Sequence, residues 1–254
     1  MLSKLLRHIL IYLIHFAINV LVAVRKFCRQ YSSKKCDLPA EEKKQSEIRM
    51  LIDHKQKVTK SLKHLVFLAD MDNHTYYDLA QVIIWSLVAG IPFVSFHDIT
   101  GELKENEEKL FLKVEKCKKG IPGCIKWSNK PDLNGYTNGA LAHTVTINIF
   151  SLNDGRPRIA QCIREIAKEK IVLKNNSSDF TAQDLDEVLS LLYPSFPSPE
   201  LILYTGHVCC THGFLPWQIR LTEFIQLSID HSINIDSFLG ALYRYNKCDQ
   251  RFGK

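Results

Sequence analysis

Turn-forming residues are scarce: 254 residues carry only 11 glycines and 9 prolines, which excludes a collagen-like or low-complexity chain. Charge of one sign is not in large excess either, 33 lysines and arginines standing against 27 acids. That excess is also in the wrong place for a nucleic-acid binder, which carries its basic charge on the folded body. Residues 1–64 hold 14 basic and 5 acidic side chains, while the remainder is net acidic by three. No CxxC pair occurs among the eight cysteines, and there is no P-loop, GxGxxG, HExxH or GxSxG motif. What is present, 46% hydrophobic and 24% charged residues, fits one large domain or two small ones.

A chain of this length builds a core without disulfide staples, so the cysteines read as reduced cytosolic thiols. The densest polar cluster is His207-Val208-Cys209-Cys210-Thr211-His212. Its four soft ligand types invite a metal reading. Adjacent cysteines do not easily face one ion, however, and no second half-site lies at finger spacing, so a loop of ordinary thiols is the plainer account.

Ile9 to Val24 contains no charged residue. At about 1.5 Å per residue this run covers roughly 24 Å, short of a ~30 Å hydrocarbon core. Leu5, Leu6 and Phe27, with snorkelling by Arg7 and Arg25, extend it. Arg25 and Lys26 follow the apolar run where a signal peptide needs small residues. The expectation is therefore a transmembrane anchor over residues 1–29. The heavier basic flank, Arg25 to Lys35, is C-terminal, which places the rest of the chain in the cytosol. The sequons at Asn73, Asn175 and Asn176 would then stay unmodified.

Residues 30–61 are expected to be a polar linker, with no periodicity across 30–46. Beyond it strands and helices alternate. His64–Ala69 and Ile91–Phe96 read as strands, and His143–Phe150 alternates with period two. Helical spacing is expected over Tyr77–Ala89, Glu102–Lys118, Arg158–Lys170 and Thr181–Tyr193. Gly120–Ala142 reads as a long connection and Glu200–Tyr204 as a strand. Phe214–Leu227 reads as partly helical, and a last helix runs from Asp236 to about Gln250. Crossovers this long imply an α/β fold with a mainly parallel central sheet flanked by helices over 62–254. Ligands in such sheets sit at the carboxyl ends of the strands. There, Asp70 and Asp72 are candidate ligands for a hard cation, against the plainer reading of a solvated turn.

The C-terminal third is more specific. Pro199-Glu200-Leu201-Ile202-Leu203-Tyr204-Thr205-Gly206, Gly213-Phe214-Leu215-Pro216-Trp217-Gln218 with Glu223, and Phe238-Leu239-Gly240-Ala241-Leu242 run in order to a terminal Arg251-Phe252-Gly253. Together with the strand ending near Asp70 and the stretch from Asp154 to Ala167, they resemble the cis-prenyltransferases over roughly residues 62–254. These enzymes extend isoprenoid diphosphates into polyprenyl chains. The departures matter equally. The DGNGRW loop of the catalytic members is Asp70-Met71-Asp72-Asn73-His74 here, without its glycines or arginine. Their RTGGE segment becomes Tyr204-Thr205-Gly206-His207, and Cys210 and His212 follow it. An arginine clamp on a diphosphate is a charge-assisted pair that tyrosine and cysteine do not replace.

The combination of apolar N-terminal segment, degenerate site and retained terminal Arg-x-Gly resembles the Nogo-B receptor family, the non-catalytic partner of dehydrodolichyl diphosphate synthase. The resemblance implies an accessory subunit in the endoplasmic-reticulum membrane, single-pass with a cytosolic domain, that supports dolichol synthesis and protein glycosylation. It implies no catalytic residue in this chain alone. Arg251 and Gly253 would reach isopentenyl diphosphate in the partner's site, and Mg²⁺ would be bound mainly by the partner. Asp70, Asp72 and Glu223 remain weak metal candidates. Phe214, Leu215, Trp217 and Gln218 are the expected interface, with core packing an equally plain account. A membrane receptor or scaffold with a degenerate fold is the alternative. A self-sufficient homodimeric synthase using Asp70 and Asp72 is a third reading, opposed by the missing arginines.

Overall fold

The computed structural model describes residues 2–32, 40–130, 143–168, 181–192 and 196–248. The chain divides into two compact units, residues 1–46 and 47–254.

In the first unit the apolar run lies within helix α1, Leu2–Ser32. Ile9 to Leu21 and Val24 are exposed, and His15 Nδ1 donates to the Ile11 carbonyl of its own helix at 2.9 Å. The expectation of a membrane-crossing helix is not confirmed. Among the described residues no helix is long and apolar enough to cross a membrane.

Helix α2, Ala40–Lys55, occupies much of the stretch expected to be linker. Its second half belongs to the larger unit. Leu51 is buried there, and Glu47 Oε2 accepts a 3.0 Å hydrogen bond from Trp85 Nε1. A helix this polar is held by a few such contacts rather than by an apolar stripe, which is why periodicity misses it.

The larger unit is built on strands β1 (His64–Ala69), β2 (Phe93–Asp98), β3 (Cys124–Trp127), β4 (Thr144–Ser151), β5 (Leu201–Thr205) and β6 (Glu223–Ser228). They form one sheet of order β3-β4-β2-β1-β5-β6 in which every pairing is parallel. Helices α3 (Tyr76–Ala89), α4 (Glu102–Glu105), α5 (Glu107–Lys118), α6 (Arg156–Ala167), α7 (Ala182–Leu192) and α8 (Ile235–Lys247) supply the crossovers and the end of the fold. Helix α3 starts with a full capping box between Thr75 and Asp78, and Gly90 closes it in the left-handed region at φ 80°.

Strand alternation sorts the core. Leu65, Phe67, Leu201, Leu203, Val145, Ile147 and Ile149 pack on one face with α3, α5 and α8. Val66, Phe150 and Ile202 point to the other face, where Phe214 and Leu215 cover them. Two strands differ from the sequence reading. β3 lies inside the expected connection 120–142, and β6 replaces the helical reading of Phe214–Leu227. Four residues flanked by turns give β3 too little pattern, and Phe224 and Leu227 fit helical spacing as readily as an edge strand.

Candidate functional site

In an open parallel sheet the crevice lies where the crossover direction reverses, at the carboxyl ends of the strands. Here that point falls between β1 and β5, the pair that separates the β2–β4 half of the sheet from β6. The crevice is therefore built from the turn after β1, the loop after β5 and the loop after β6.

The acidic groups that follow β1, β2 and β4 are all hydrogen-bonded. The Asp70 carboxylate accepts from the Asp72 N–H at 3.0 Å and from Asn73 Nδ2 at 2.5 Å. Asp98, fully buried at the end of β2, accepts from the N–H groups of Thr100 at 3.0 Å and Leu103 at 2.9 Å, opening α4. Asp154 takes Lys104 Nζ at 2.7 Å and the Ser151 N–H at 2.8 Å. Burial works to raise the Asp154 pKa, but Lys104 and Ser151 hold it below the ordinary carboxylate value.

Across the switch point runs a chain of hydrogen bonds that no sequence signal announced. The Asp70 N–H donates to His74 Nδ1 at 3.0 Å, which leaves the ring proton on Nε2. His74 Nε2 then donates to Thr205 Oγ1 at 3.0 Å, and the Thr205 hydroxyl donates to His231 Nδ1 at 2.9 Å. His74 is buried, and the two imidazole centroids are 6.1 Å apart. His231 holds a left-handed backbone at φ 63°, and Gly206 beside Thr205 leaves no room for a Cβ against the His231 ring. The turns after β1, β5 and β6 are thus tied together at the carboxyl ends of the strands, and no arginine stands at 70–74 or 204–207.

The remaining sequence candidates separate. Glu223 pairs in register with Leu201, which pairs with Leu65. It lies at the amino-terminal edge of the sheet, about 16 Å along the strand direction from Asp70, so within one chain the two cannot share a cation. Among the described residues no group of three or more His, Cys, Asp or Glu stands close enough to hold a metal. Asp70, Asp72 and Glu223 therefore do not form one three-carboxylate site within this chain. His207, Cys209, Cys210 and His212 are exposed along the loop after β5, with burial and the neighbouring Cys210 raising the Cys209 pKa.

Of the expected interface residues, Phe214 and Leu215 are buried within the chain and belong to its core. Trp217 is 39% exposed and donates its Nε1–H to Asp186 Oδ1 at 3.0 Å. Gln218 is half-buried. Trp217, Leu221 and Phe224 leave apolar surface beside the open edge of β6. Arg251 and Gly253 lie outside the described residues.

The last described residues are firmly placed. Asn246 Oδ1 accepts from the Lys60 N–H at 2.9 Å, and Lys60 Nζ donates to the Cys248 carbonyl at 2.9 Å. The end of α8 is thereby held at the amino-terminal edge of the sheet, opposite the crevice.

No protein-family model matches the chain. Among curated proteins it is 30% identical over 194 residues to the dehydrodolichyl diphosphate synthase complex subunit Nus1 of Mus musculus, covering 75% of this chain and 64% of that protein. The Homo sapiens subunit of the same name is 30% identical over 184 residues, with 71% and 62% covered. The chain is a relative of these NUS1 subunits. It spans under two thirds of their length. The Saccharomyces cerevisiae NUS1 subunit is 27% identical over 202 residues, covering 70% of this chain and 53% of that protein. Among solved structures, lavandulyl diphosphate synthase from Lavandula x intermedia superposes with a TM-score of 0.51 at 17% identity, covering 76% of this chain and 98% of that one. The six-stranded parallel sheet with its helices is thus the cis-prenyltransferase fold.

Proposed function

We propose that this chain is the non-catalytic subunit of a heteromeric cis-prenyltransferase, attached to the endoplasmic-reticulum membrane through α1 with its larger unit in the cytosol. Its catalytic partner resembles dehydrodolichyl diphosphate synthase. The complex condenses isopentenyl diphosphate onto an allylic diphosphate to make the dolichol precursor. The similarity to NUS1 subunits supports the assignment, and one structural observation carries it. The turns at the switch point are bridged by hydrogen bonds among Asp70, His74, Thr205 and His231, while Cys248, the last described residue, lies at the opposite end of the sheet.

That separation bears on Arg251. Three residues beyond Cys248 carry the backbone at most about 11 Å, while the crevice lies six strand residues, about 20 Å, from the level of His64. The tail thus starts at the end of the sheet away from this chain's own crevice, and the diphosphate proposed for Arg251 belongs to another subunit. The open edge of β6, with Trp217, Leu221 and Phe224, is the surface offered to that subunit. A partner joined there about a pseudo-twofold axis perpendicular to the strands sets its carboxyl-terminal strand ends beside this chain's amino-terminal edge. Arg251 then compensates substrate charge, and Gly253 permits close backbone approach. Mg²⁺, held by the partner, stabilises the departing diphosphate.

The test is polyprenyl synthesis by the full chain with and without a catalytic partner. Product is expected only from the pair. Turnover by the lone chain that is lost in Asp70→Ala would establish a self-sufficient synthase instead. A stable chain that never raises a partner's activity would favour the receptor or scaffold reading.

A further inference from the structure

We infer that the face of α5 carrying Lys109, Leu112, Lys113 and Lys116 rests on an anionic lipid surface. The inference rests on the membrane attachment proposed for α1 above, which brings the larger unit to a bilayer. Residues 109–119 hold five lysines against one acid, Glu115, and no arginine, although the chain beyond residue 64 is net acidic. Lys109, Leu112, Lys113 and Lys116 stand at i, i+3, i+4 and i+7, one stripe of the helix. Leu110 and Val114 are buried on the other side, and Phe111 meets Trp127 of β3 at a centroid distance of 5.9 Å. The stripe therefore faces away from the core. Leu112, at its centre, is 60% exposed, and Tyr77 of α3 is 45% exposed with Lys113 Nζ 5.9 Å from its ring centroid. Glu108, on the far side of Leu112, is taken by Lys130 at 2.9 Å, which leaves Glu115 as the acid nearest the stripe.

Lysines around an exposed leucine and tyrosine are the pattern of a helix lying in a headgroup layer, where the ammonium groups meet phosphates and the stems follow the apolar groups inward. The absence of arginine points the same way. A lysine is a mobile point charge that suits a fluid array of headgroups, whereas fixed phosphates are gripped by arginine's planar fork. A negatively charged cytosolic leaflet draws each lysine that comes within a Debye length of it. The patch also answers a need of the N-terminal unit. No described helix is long and apolar enough to cross a membrane, and a partial anchor attaches stably only with a second contact such as a basic patch. Once α1 is in the lipid, the second contact forms within one molecule and three lysines suffice. Through Phe111 and Trp127, α5 touches β3, at the edge of the sheet farthest from β6, so lipid and partner subunit do not compete for one surface.

The experiment uses the full chain carrying Leu112→Trp, mixed with vesicles of phosphatidylcholine brominated near the top of its acyl chains, with or without phosphatidylserine. Trp85 and Trp127 are buried, and the parent chain gives the background from Trp217. Bromine should quench the tryptophan at 112 in the serine-containing vesicles and not in phosphatidylcholine alone. Lys109→Gln, Lys113→Gln and Lys116→Gln should each lower the ratio of docked to undocked chain about five-fold, and together about a hundredfold. Arginine at the same three positions keeps the charge and should keep the quenching, whereas 1 M salt, with a Debye length of about 3 Å, should abolish it. Equal quenching in both lipids, no quenching in either, or quenching that survives the triple Gln variant would each overturn the docking. So would binding of polyglutamate by a chain that the serine vesicles do not quench, which would give the face to an acidic protein. Flotation with phosphatidylcholine vesicles tests α1 separately. A chain that floats there and shows no serine-dependent quenching keeps its anchor and loses the docking face. One that floats only with the serine vesicles, and not as the triple Gln variant, keeps the docking face and loses the anchor.

Discussion

Gly155 lies against the backbone of Gly213 so closely that a Cβ at 155 would fall inside the van der Waals envelope of the Gly213 carbonyl oxygen. The turn after β4 and the loop after β5 therefore meet backbone to backbone, and Gly213 itself sits at φ 76° over the stem of Arg156. This joint braces the segment that places Phe214 and Leu215 under the sheet. The Asp154-Gly155-Arg156 stretch is in this way a structural splice.

Gly155→Ala should force the two loops apart and expose part of the cluster formed by Val66, Phe150, Ile202, Phe214 and Leu215. The expected cost is roughly 2–3 kcal/mol, as for other overpacking substitutions. Denaturant unfolding of the variant checks it; an unchanged midpoint would mean that the joint yields freely.

Thr205→Val keeps the shape of the side chain and removes the hydroxyl that links His74 to His231. Two imidazole nitrogens then lose their partner in a half-buried site, so a loss of about 1–3 kcal/mol is expected. Faster amide exchange should appear in the turns after β1 and β6 together, since one hydroxyl holds both. Exchange confined to one turn would show that the relay does not act as a unit.

How far the residues announced this arrangement depends on where the information lies. β1 is legible to the residue because an unbroken run of five apolar side chains after His64, set on both faces of the sheet, leaves no competing pattern. The N-terminus of α3 is legible because Thr75 and Asp78 are three apart and cap it locally. Helix α2 was not, since its docking rests on Glu47, Leu51 and His54 meeting residues far along the chain. The crevice divides in the same way. The turn at Asp70 and the missing arginines are local facts, whereas His74, Thr205 and His231 are brought together only by the order of the sheet. Phe214 and Leu215 looked like interface because apolar runs do not say which side of the surface they occupy.

Stability should fall with acid in a defined window. His64 is fully buried, with Nδ1 donating to the Pro197 carbonyl at 2.6 Å and Nε2 accepting from Ser95 Oγ at 2.7 Å. Burial lowers its pKa to about 4, although the bond to Pro197 opposes the shift. His97, its ring tilted against Phe214 at a centroid distance of 4.9 Å, is likewise lowered to about 4 by burial, against the pull of Asp98. The unfolded chain binds these protons from about pH 6.5 downward and the folded chain does not until about pH 4. Their contribution is thus complete above pH 6.5 and is lost as pH falls toward 4, at up to about 3 kcal/mol for each ring. In His64→Phe the unfolding free energy should start lower, because Ser95 and Pro197 lose a partner, and should fall less steeply between pH 6.5 and 4. An equally steep fall would place the acid sensitivity elsewhere.

The last expectation concerns the open edge of the sheet. In β6 Ile225 is 6% exposed and faces the core, while Phe224 is 40% exposed and points away from it. Trp217 and Leu221, in the segment that leads into β6, are 39% and 45% exposed. A carboxylate at 224 stays in water in the free chain, so Phe224→Glu should change the melting temperature of the lone chain little. In a complex formed through this edge, the same carboxylate is desolvated without a counter-charge. That penalty is several kcal/mol, enough to weaken association by a hundredfold or more. Size-exclusion chromatography of the co-expressed pair should show free subunits for Phe224→Glu and an intact complex for Phe224→Leu, which keeps the apolar contact. Polyprenyl synthesis should follow the same order. An intact, active complex carrying Phe224→Glu would move the interface away from β6 and remove the geometry by which Arg251 reaches a partner's site.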